Sequence, residues 1–143
     1  MPVDEQSWMR LAVALGIGLL IGIERERRKG EGPARATAGV RTFAVASLLG
    51  AVSIMVGETA LLAVAAAGVA VLAAIGYART LKQDPGLTTE IALLLTLLLG
   101  ALAMREPPLA AALAVGVAIL LAARDHMHHF VRRVLTAQEL NDA

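Results

Sequence analysis

The chain alternates between long apolar segments and short polar breaks. Five apolar segments occupy approximately residues 7–23, 40–56, 59–78, 87–104 and 109–123. An α-helix rises about 1.5 Å per residue, so crossing the hydrocarbon core of a bilayer requires roughly 20 residues, within a range of about 17–25. Most of the segments lie near the lower limit, which predicts helices with little tilt or a locally thinned bilayer. The pattern therefore predicts an all-α polytopic membrane protein with about five transmembrane helices.

The breaks between these segments carry turn-forming residues. Gly57 and Glu58 separate the second and third segments, which predicts a tight helical hairpin there. Residues 84–86 read Asp-Pro-Gly, which is typical of a turn because Pro fixes φ and Gly tolerates positive φ. Residues 106–108 read Glu-Pro-Pro and interrupt the last hairpin.

Composition narrows the class of protein. The chain has 143 residues, of which 57% are hydrophobic and 17% charged, whereas soluble domains average about 45–50% apolar and about 25% charged residues. It contains no cysteine, which excludes disulfides and thiolate chemistry. Aromatic residues make up only 3%, too few to stack a series of nucleic-acid bases, so we expect no nucleic-acid partner. Because no nucleophile elbow, P-loop, dinucleotide fingerprint or zinc-protease motif is present, we expect no enzyme.

The positive charges predict an orientation. All but two of the 13 Lys and Arg residues fall on one side of the five predicted spans, and only Arg10 and Arg105 fall on the other. Cytoplasmic loops are enriched in Lys and Arg, so the N-terminus is predicted outside and the C-terminus in the cytoplasm. Trp8 is expected at the outer boundary of the membrane, and Phe43 and Tyr77 near the inner one.

The C-terminal tail differs from the spanning part. We expect a transmembrane domain over residues 1–124 and an amphipathic cytoplasmic helix over residues 125–143, lying on the inner membrane surface. His126 and His129 are three residues apart and share a helix face, a spacing that can supply two ligands to a transition metal. A closed structural site usually needs four ligands, so surface histidines are the preferred interpretation.

Glycines in the first predicted helix suggest close packing. Gly16, Gly18 and Gly22 lie in this helix, and Gly18 and Gly22 form a GxxxG pair that lets two backbones approach closely in lipid. One interpretation is dimerisation through this face. The alternative is packing against another helix of the same chain, which we favour because the motif recurs by chance in spans rich in Gly and Ala.

Charged residues at the cytoplasmic ends of the helices are the candidate functional groups. Glu24 follows the first apolar helix directly and Arg41 begins the second, so the two side chains can meet at one membrane depth. A structural ion pair explains this placement, and a cation ligand or proton-coupled carboxylate is the alternative. Thr88 or Thr89 can cap the fourth helix, and Glu90 favours its positive dipole end.

A sharper hypothesis places these groups in one polar site. Its residues are Glu24, Arg41, Thr42, Thr88, Thr89 and Glu90. Hydroxyl and carboxylate oxygens are the ligands that hard cations such as Mg²⁺ prefer, which makes Glu24 and Glu90 the candidate metal ligands. Two carboxylates alone do not identify Mg²⁺, and no other cofactor is expected.

Three motifs resemble a known family. Residues 16–28 read GIGLLIGIERERR, residues 38–42 read AGVRT, and residues 86–90 read GLTTE. The first two are similar to the N-terminal signature of the MgtC/SapB membrane proteins, with Val40 in place of the usual Leu, and the third is similar to the stretch that opens their fourth helix. The resemblance is closest to larger members in which further membrane helices follow, and it extends to the tail sequence HFVRR at residues 129–133.

The resemblance implies a bacterial inner-membrane protein. Members of this family are associated with growth in low magnesium, with survival inside hosts and with inhibition of the rotary ATP synthase. The residues of this chain that match the family motif are Glu24, Arg25, Arg41, Thr42, Gly86, Thr88 and Thr89.

Two functions follow as expectations. The first is a homo-oligomeric transporter or channel that acts in the homeostasis of magnesium or another ion. The second is a regulatory membrane module that transports nothing and binds another membrane complex, such as the ATP synthase. Membrane lipids are expected to contact the protein in either case.

Overall fold

The computed structural model describes residues 4–27, 38–80 and 87–141. These residues form four helices and no strand: α1 (Glu5–Arg27), α2 (Val40–Thr80), α3 (Thr88–Ala103) and α4 (Pro107–Asn141). The predicted all-α fold is therefore confirmed over the described residues. Pro107 opens α4, where the missing backbone N–H and the fixed φ of proline fit the first helical turn.

Helix α2 is interrupted where the sequence predicts a hairpin. Gly57 has φ −133° and ψ 15°, and Glu58 has φ 51° and ψ −143°, so neither residue is helical. The interruption divides α2 into a first arm (residues 40–56) and a second arm (residues 59–80). Residues of both arms line the same cavities, which means that the second arm folds back along the first.

The number of membrane crossings stays a prediction. Two helical stretches, Glu5–Arg27 and Val40–Arg79, are long and apolar enough to cross a membrane. The apolar stretches Thr88–Ala103 and Pro107–Ala123 are shorter. Five spans require the two arms of α2 to cross separately and both shorter stretches to cross as well.

The N-terminus of α1 is capped. The Asp4 carboxylate accepts hydrogen bonds from the Ser7 backbone N–H at 2.9 Å and from the Ser7 hydroxyl at 2.6 Å. Both bonds favour the ionised carboxylate and lower the pKa of Asp4 below its ordinary value. The cap is therefore fully formed at pH values above the ordinary pKa of Asp, and it is lost as the pH falls through the lowered pKa.

Small residues bring α1, α3 and the first arm of α2 into close contact. A Cβ added at Gly18 would lie 2.6 Å from the Ala44 Cα, and one added at Gly22 would lie 2.9 Å from the Val40 Cα. Gly50 packs against the Leu97 carbonyl in the same way, and Gly100 packs against the carbonyl of Ser47. Backbones that approach this closely gain dispersion contacts along the whole interface, which is the usual source of helix association in lipid.

Buried hydroxyls in this core are all hydrogen-bonded. The Ser47 hydroxyl donates to the Ala14 carbonyl of α1 at 2.6 Å, which links two helices. The Ser53 hydroxyl donates to the Leu49 carbonyl, and the Thr96 hydroxyl to the Ala92 carbonyl, each within its own helix. Ser47 is thus the buried hydroxyl that stabilises tertiary packing directly.

We expect Ser47→Ala to destabilise the bundle by about 0.5–2 kcal/mol, because the hydrogen bond from the Ser47 hydroxyl to the Ala14 carbonyl is lost. Ser53→Ala is the matched control, since its hydroxyl bonds only within α2 and a smaller change is expected. Thermal unfolding of both variants in detergent measures the difference. Equal losses would show that the bond between helices adds nothing to stability.

The outer surface of the bundle is apolar. Every residue of the second arm with a described side chain is exposed or half-buried, and Leu72 is 70% exposed. Large apolar side chains are also exposed on α4, for example Leu120 at 73%. Contiguous apolar surface of this kind must be covered by lipid or by another protein.

Helix α4 crosses the boundary that the sequence predicts between a membrane domain and a tail. The helix runs through residues 124 and 125 and ends at Asn141, so the tail continues α4 instead of forming a separate helix. Met127, Phe130, Val131 and Val134 are exposed. Their predicted contact with the inner membrane surface stays a prediction.

Candidate functional site

Two polar ends result from the antiparallel packing. At one end, the Arg10 guanidinium donates to the Met104 carbonyl at 2.7 Å, and the Arg105 guanidinium to the Thr59 hydroxyl at 3.5 Å. We call this the hairpin end because the α2 interruption lies there. The opposite end holds Arg25 and the start of α3, and we call it the charged end.

The charged end is cross-linked by two hydrogen bonds that start from α1. The Arg25 guanidinium donates to the Thr89 hydroxyl in the first turn of α3. The Glu26 carboxylate accepts the Val40 backbone N–H at 3.1 Å, at the first residue of α2, where a negative charge also suits the positive end of the helix dipole. The last turn of α1 therefore fixes the starting points of both α2 and α3.

A cavity of about 490 Å³ opens beside these contacts, between the two arms of α2 and the first turns of α3. Its polar lining consists of Thr42, Arg79, Thr89 and Glu90, and its other lining residues are apolar. We call it the polar cavity. It combines one acidic, one basic and two hydroxyl side chains, contributed by both arms and by α3.

Glu90 is the residue of the polar cavity with an unsatisfied side-chain atom. Its Oε2 atom is buried and has no hydrogen-bond partner within the described ranges. A polar atom that is buried without a partner costs free energy, so this oxygen is available to a ligand that enters the cavity. The first turn of α3 offsets part of this cost, because the positive end of the helix dipole lies there.

The structure distributes the predicted site residues unevenly. Thr42, Thr89 and Glu90 line the polar cavity together. Arg41 is exposed and lies outside its lining, and Glu24 and Thr88 are half-buried and also lie outside it. Gly86, which the family motif includes, lies outside the described residues.

Sequence reasoning missed Arg79 as a site residue. Arg79 was counted only among the charges that set orientation, yet it lines the polar cavity with Glu90. Its position in the last turn of an apolar segment, next to a predicted cytoplasmic turn, is the available signal. Arg25 belongs both to the charges that predict orientation and to the family motif, and the structure bonds it to Thr89.

The glycines of α1 divide into two groups. Gly18 and Gly22 pack against the first arm of α2 in the same chain, whereas Gly16 has open space around it. The close contact of the GxxxG pair is thus intramolecular.

The described residues offer isolated carboxylates as metal ligands. Within the described ranges, no group of three or more His, Asp or Glu side chains could hold a metal ion. Mg²⁺ is often held by one or two carboxylates together with its own waters, so Glu90 alone suffices only for a hydrated ion. His126 is exposed, and the side chains of His128 and His129 lie outside the described residues.

Long apolar helices, an apolar outer surface and a polar cavity at one end define a helical membrane protein. The sequence model of the MgtC family matches residues 11–130, so the chain belongs to the MgtC family. This result confirms the MgtC/SapB resemblance of the sequence motifs. Searches of curated proteins and of solved structures find no match to the chain.

Proposed function

We propose that this protein acts in the homeostasis of magnesium or another ion, as an oligomeric transporter or channel whose ion-binding group is Glu90. The observation that supports this most strongly is the buried Glu90 Oε2 atom, which has no hydrogen-bond partner among the described residues and belongs to a side chain lining a cavity. Ionisable groups inside membrane proteins are costly, and they often mark ion or proton pathways.

The other polar groups of the cavity suit such a role. The Thr42 and Thr89 hydroxyls can replace part of the hydration shell of a cation, as oxygen ligands do for hard ions. Arg79 provides a positive charge in the same cavity and can balance Glu90 when no cation is bound. Arg25 holds Thr89 in place, so the hydroxyl position depends on α1.

Assembly into a homo-oligomer belongs to the same proposal. Lining residues of the polar cavity such as Val45 and Ile75 are exposed, so a single chain leaves the cavity open at its side. A path for ions must be enclosed on all sides, which an assembly of several copies can do. Gly16, which has open space around it, offers a face for close helix contact.

We also propose the inner membrane as the location, with the hairpin end outside and the charged end in the cytoplasm. The natural absence of cysteine makes this testable by single-cysteine labelling. We expect Ala60→Cys and Glu106→Cys to react with an impermeant maleimide from outside, and Ala78→Cys to react only after permeabilisation. Labelling of Ala60→Cys and Ala78→Cys from the same side would show that the second arm does not cross the membrane.

Ion flux into proteoliposomes tests the function. Mg²⁺ is measured first, then protons and monovalent ions, for the wild-type protein and for Glu90→Gln and Glu24→Gln. We expect Glu90→Gln to lose flux while keeping its fold and assembly. Glu106→Gln is the matched control, because Glu106 is exposed at the hairpin end.

The regulatory module is the second candidate, and the extent of exposed apolar surface favours it as a binding platform for another membrane protein. A folded, assembled protein with no flux for any ion would overturn the transport proposal. Co-purification with a membrane complex such as the ATP synthase would then support the regulatory function.

A further inference from the structure

A second cavity extends the polar cavity along α2. It has a volume of about 380 Å³ and lies between the two arms, towards the hairpin end. Leu49, Val69 and Leu72 line both cavities, so the two form one continuous depression. We call this depression the α2 groove. Ser53 and Leu61 mark its far limit, and Thr42 and Arg79 mark its polar limit.

The α2 groove opens to the side of the bundle. Val45, Val64 and Leu72 line it and are 64%, 69% and 70% exposed. In a helical membrane protein, this side faces the acyl chains of lipids. The groove is therefore accessible from the hydrocarbon layer without any opening of the bundle.

The length of the groove matches one leaflet of a bilayer. From Thr42 to Ser53 the first arm rises about 16 Å, at about 1.5 Å per residue. The hydrocarbon core is about 30 Å thick, so one leaflet contributes about half of that. A single acyl chain that starts at the polar limit therefore ends near Ser53 and Leu61.

The chemistry of the groove changes along its length. Apart from Ser53, whose hydroxyl is bonded to the Leu49 carbonyl, its far part is apolar. Its polar limit carries the exposed Arg79 guanidinium, whose donors match phosphate oxygens, beside the half-buried Glu90 carboxylate. An apolar channel that ends at an exposed guanidinium is complementary to an amphiphile with a phosphate in its head group.

We propose that the α2 groove binds one phospholipid, with an acyl chain between the two arms of α2 and the phosphate on Arg79. The inference goes beyond the proposed ion function, because it uses Arg79 and the apolar groove and does not require Glu90 to bind an ion. A bound lipid would close the side of the polar cavity that a single chain leaves open.

A phospholipid with a photoactivatable diazirine near the end of one acyl chain tests this binding in reconstituted bilayers. Mass spectrometry then maps the cross-linked residues. We expect cross-links to concentrate around Ser53, Leu61 and Val64, and to be sparse on lipid-facing residues of α4 such as Leu120. Cross-links spread evenly over all exposed apolar faces would overturn the proposal.

Two pairs of variants sharpen the test. Val69→Trp fills the groove and is expected to reduce groove cross-linking about tenfold or more, a loss of at least about 1.4 kcal/mol in binding. Val71→Trp adds the same side chain outside the groove and is expected to change nothing. Arg79→Gln is expected to lower the amount of lipid retained per chain on purification, whereas Arg27→Gln, exposed at the end of α1, is not.

The outcomes separate lipid binding from the alternatives. Equal effects of Val69→Trp and Val71→Trp, or equal effects of the two arginine variants, would overturn the proposal. A second copy of the chain would be the occupant if the wild-type protein gave no groove cross-links and Val69→Trp lost self-association. Arg79→Gln leaves the packing between helices unchanged, so it remains informative if Val69→Trp fails to fold. Groove cross-links retained in Glu90→Gln would show that lipid binding does not depend on the ion-binding group.

Discussion

Replacing Gly100 with alanine is expected to force α2 and α3 apart and to destabilise the bundle by about 3 kcal/mol or more. The added methyl would overlap the Ser47 carbonyl, closer than real Cβ contacts come, and would also press on the Ser47 Cα at 2.8 Å. Both obstacles are backbone, so no change of side-chain rotamer relieves them. The shift would also disturb the Ser47 hydrogen bond to α1, because the same residue forms it.

Gly116→Ala is the matched control, since nothing lies within 4 Å of a Cβ at that position. Alanine has a higher helix propensity than glycine by about 1 kcal/mol, so this variant should be neutral or more stable. Circular dichroism during thermal unfolding in detergent compares the two. If Gly100→Ala were as stable as Gly116→Ala, the close approach of α2 and α3 would not exist.

Glu90→Gln is expected to stabilise the folded protein while removing its response to cations. The buried Oε2 atom has no hydrogen-bond partner in the described part of the chain, and its ionised form is therefore expensive to desolvate. Glutamine keeps the shape and removes the charge, while its amide still lies at the unpaired position, so the expected gain is a fraction of the about 1–3 kcal/mol that an unsatisfied buried group costs. A residue retained for stability should behave in the opposite way.

Thermal unfolding with and without Mg²⁺ measures both parts of this prediction. The wild-type protein should unfold at a higher temperature when the cation is bound, since a ligand of the folded state stabilises it. Glu90→Gln should start higher and show no further increase. A Glu90→Gln protein that is less stable than the wild type would indicate a structural role, such as the dipole interaction at the start of α3.

Hydrophobic pattern alone predicts most of the helical architecture. Runs of Leu, Ala and Val with short breaks indicate helices, and Gly57 and Glu58 mark the place where α2 turns back. The pattern could not show that residues 107–141 form one helix, because the change from apolar to amphipathic composition does not stop a helix. A helix-breaking Gly or Pro would be needed for that, and neither occurs after Gly116.

Tertiary packing was less predictable. Gly18 and Gly22 predict a close helix contact, but their spacing alone does not distinguish a partner within the chain from one in another chain. Gly50 and Gly100 make even closer contacts, and the pairs Ala46-xxx-Gly50 and Thr96-xxx-Gly100 were available as small-xxx-small signals. Such spacings are common in chains rich in alanine, so the sequence alone does not show which of them mark a close helix contact.

The candidate site was anticipated only in part. Charge placement and the family motif lead to Thr42, Thr89 and Glu90, which line one cavity. They also lead to Glu24 and Arg41, which do not line it. Membrane depth can be read from sequence, but the angular position of a side chain around its helix depends on crossing angles between helices. Arg79 lines the cavity because the α2 interruption lets the second arm fold back along the first.

Infrared difference spectroscopy of the protein in lipid bilayers, with and without cation, tests the central claim that Glu90 is the ion-binding group. The account predicts a cation-dependent change in a carboxylate or carboxylic-acid band that disappears in Glu90→Gln and persists in Glu106→Gln. The same change in Glu90→Gln, or no carboxyl change for Mg²⁺, protons or monovalent cations in a folded wild-type protein, would contradict it.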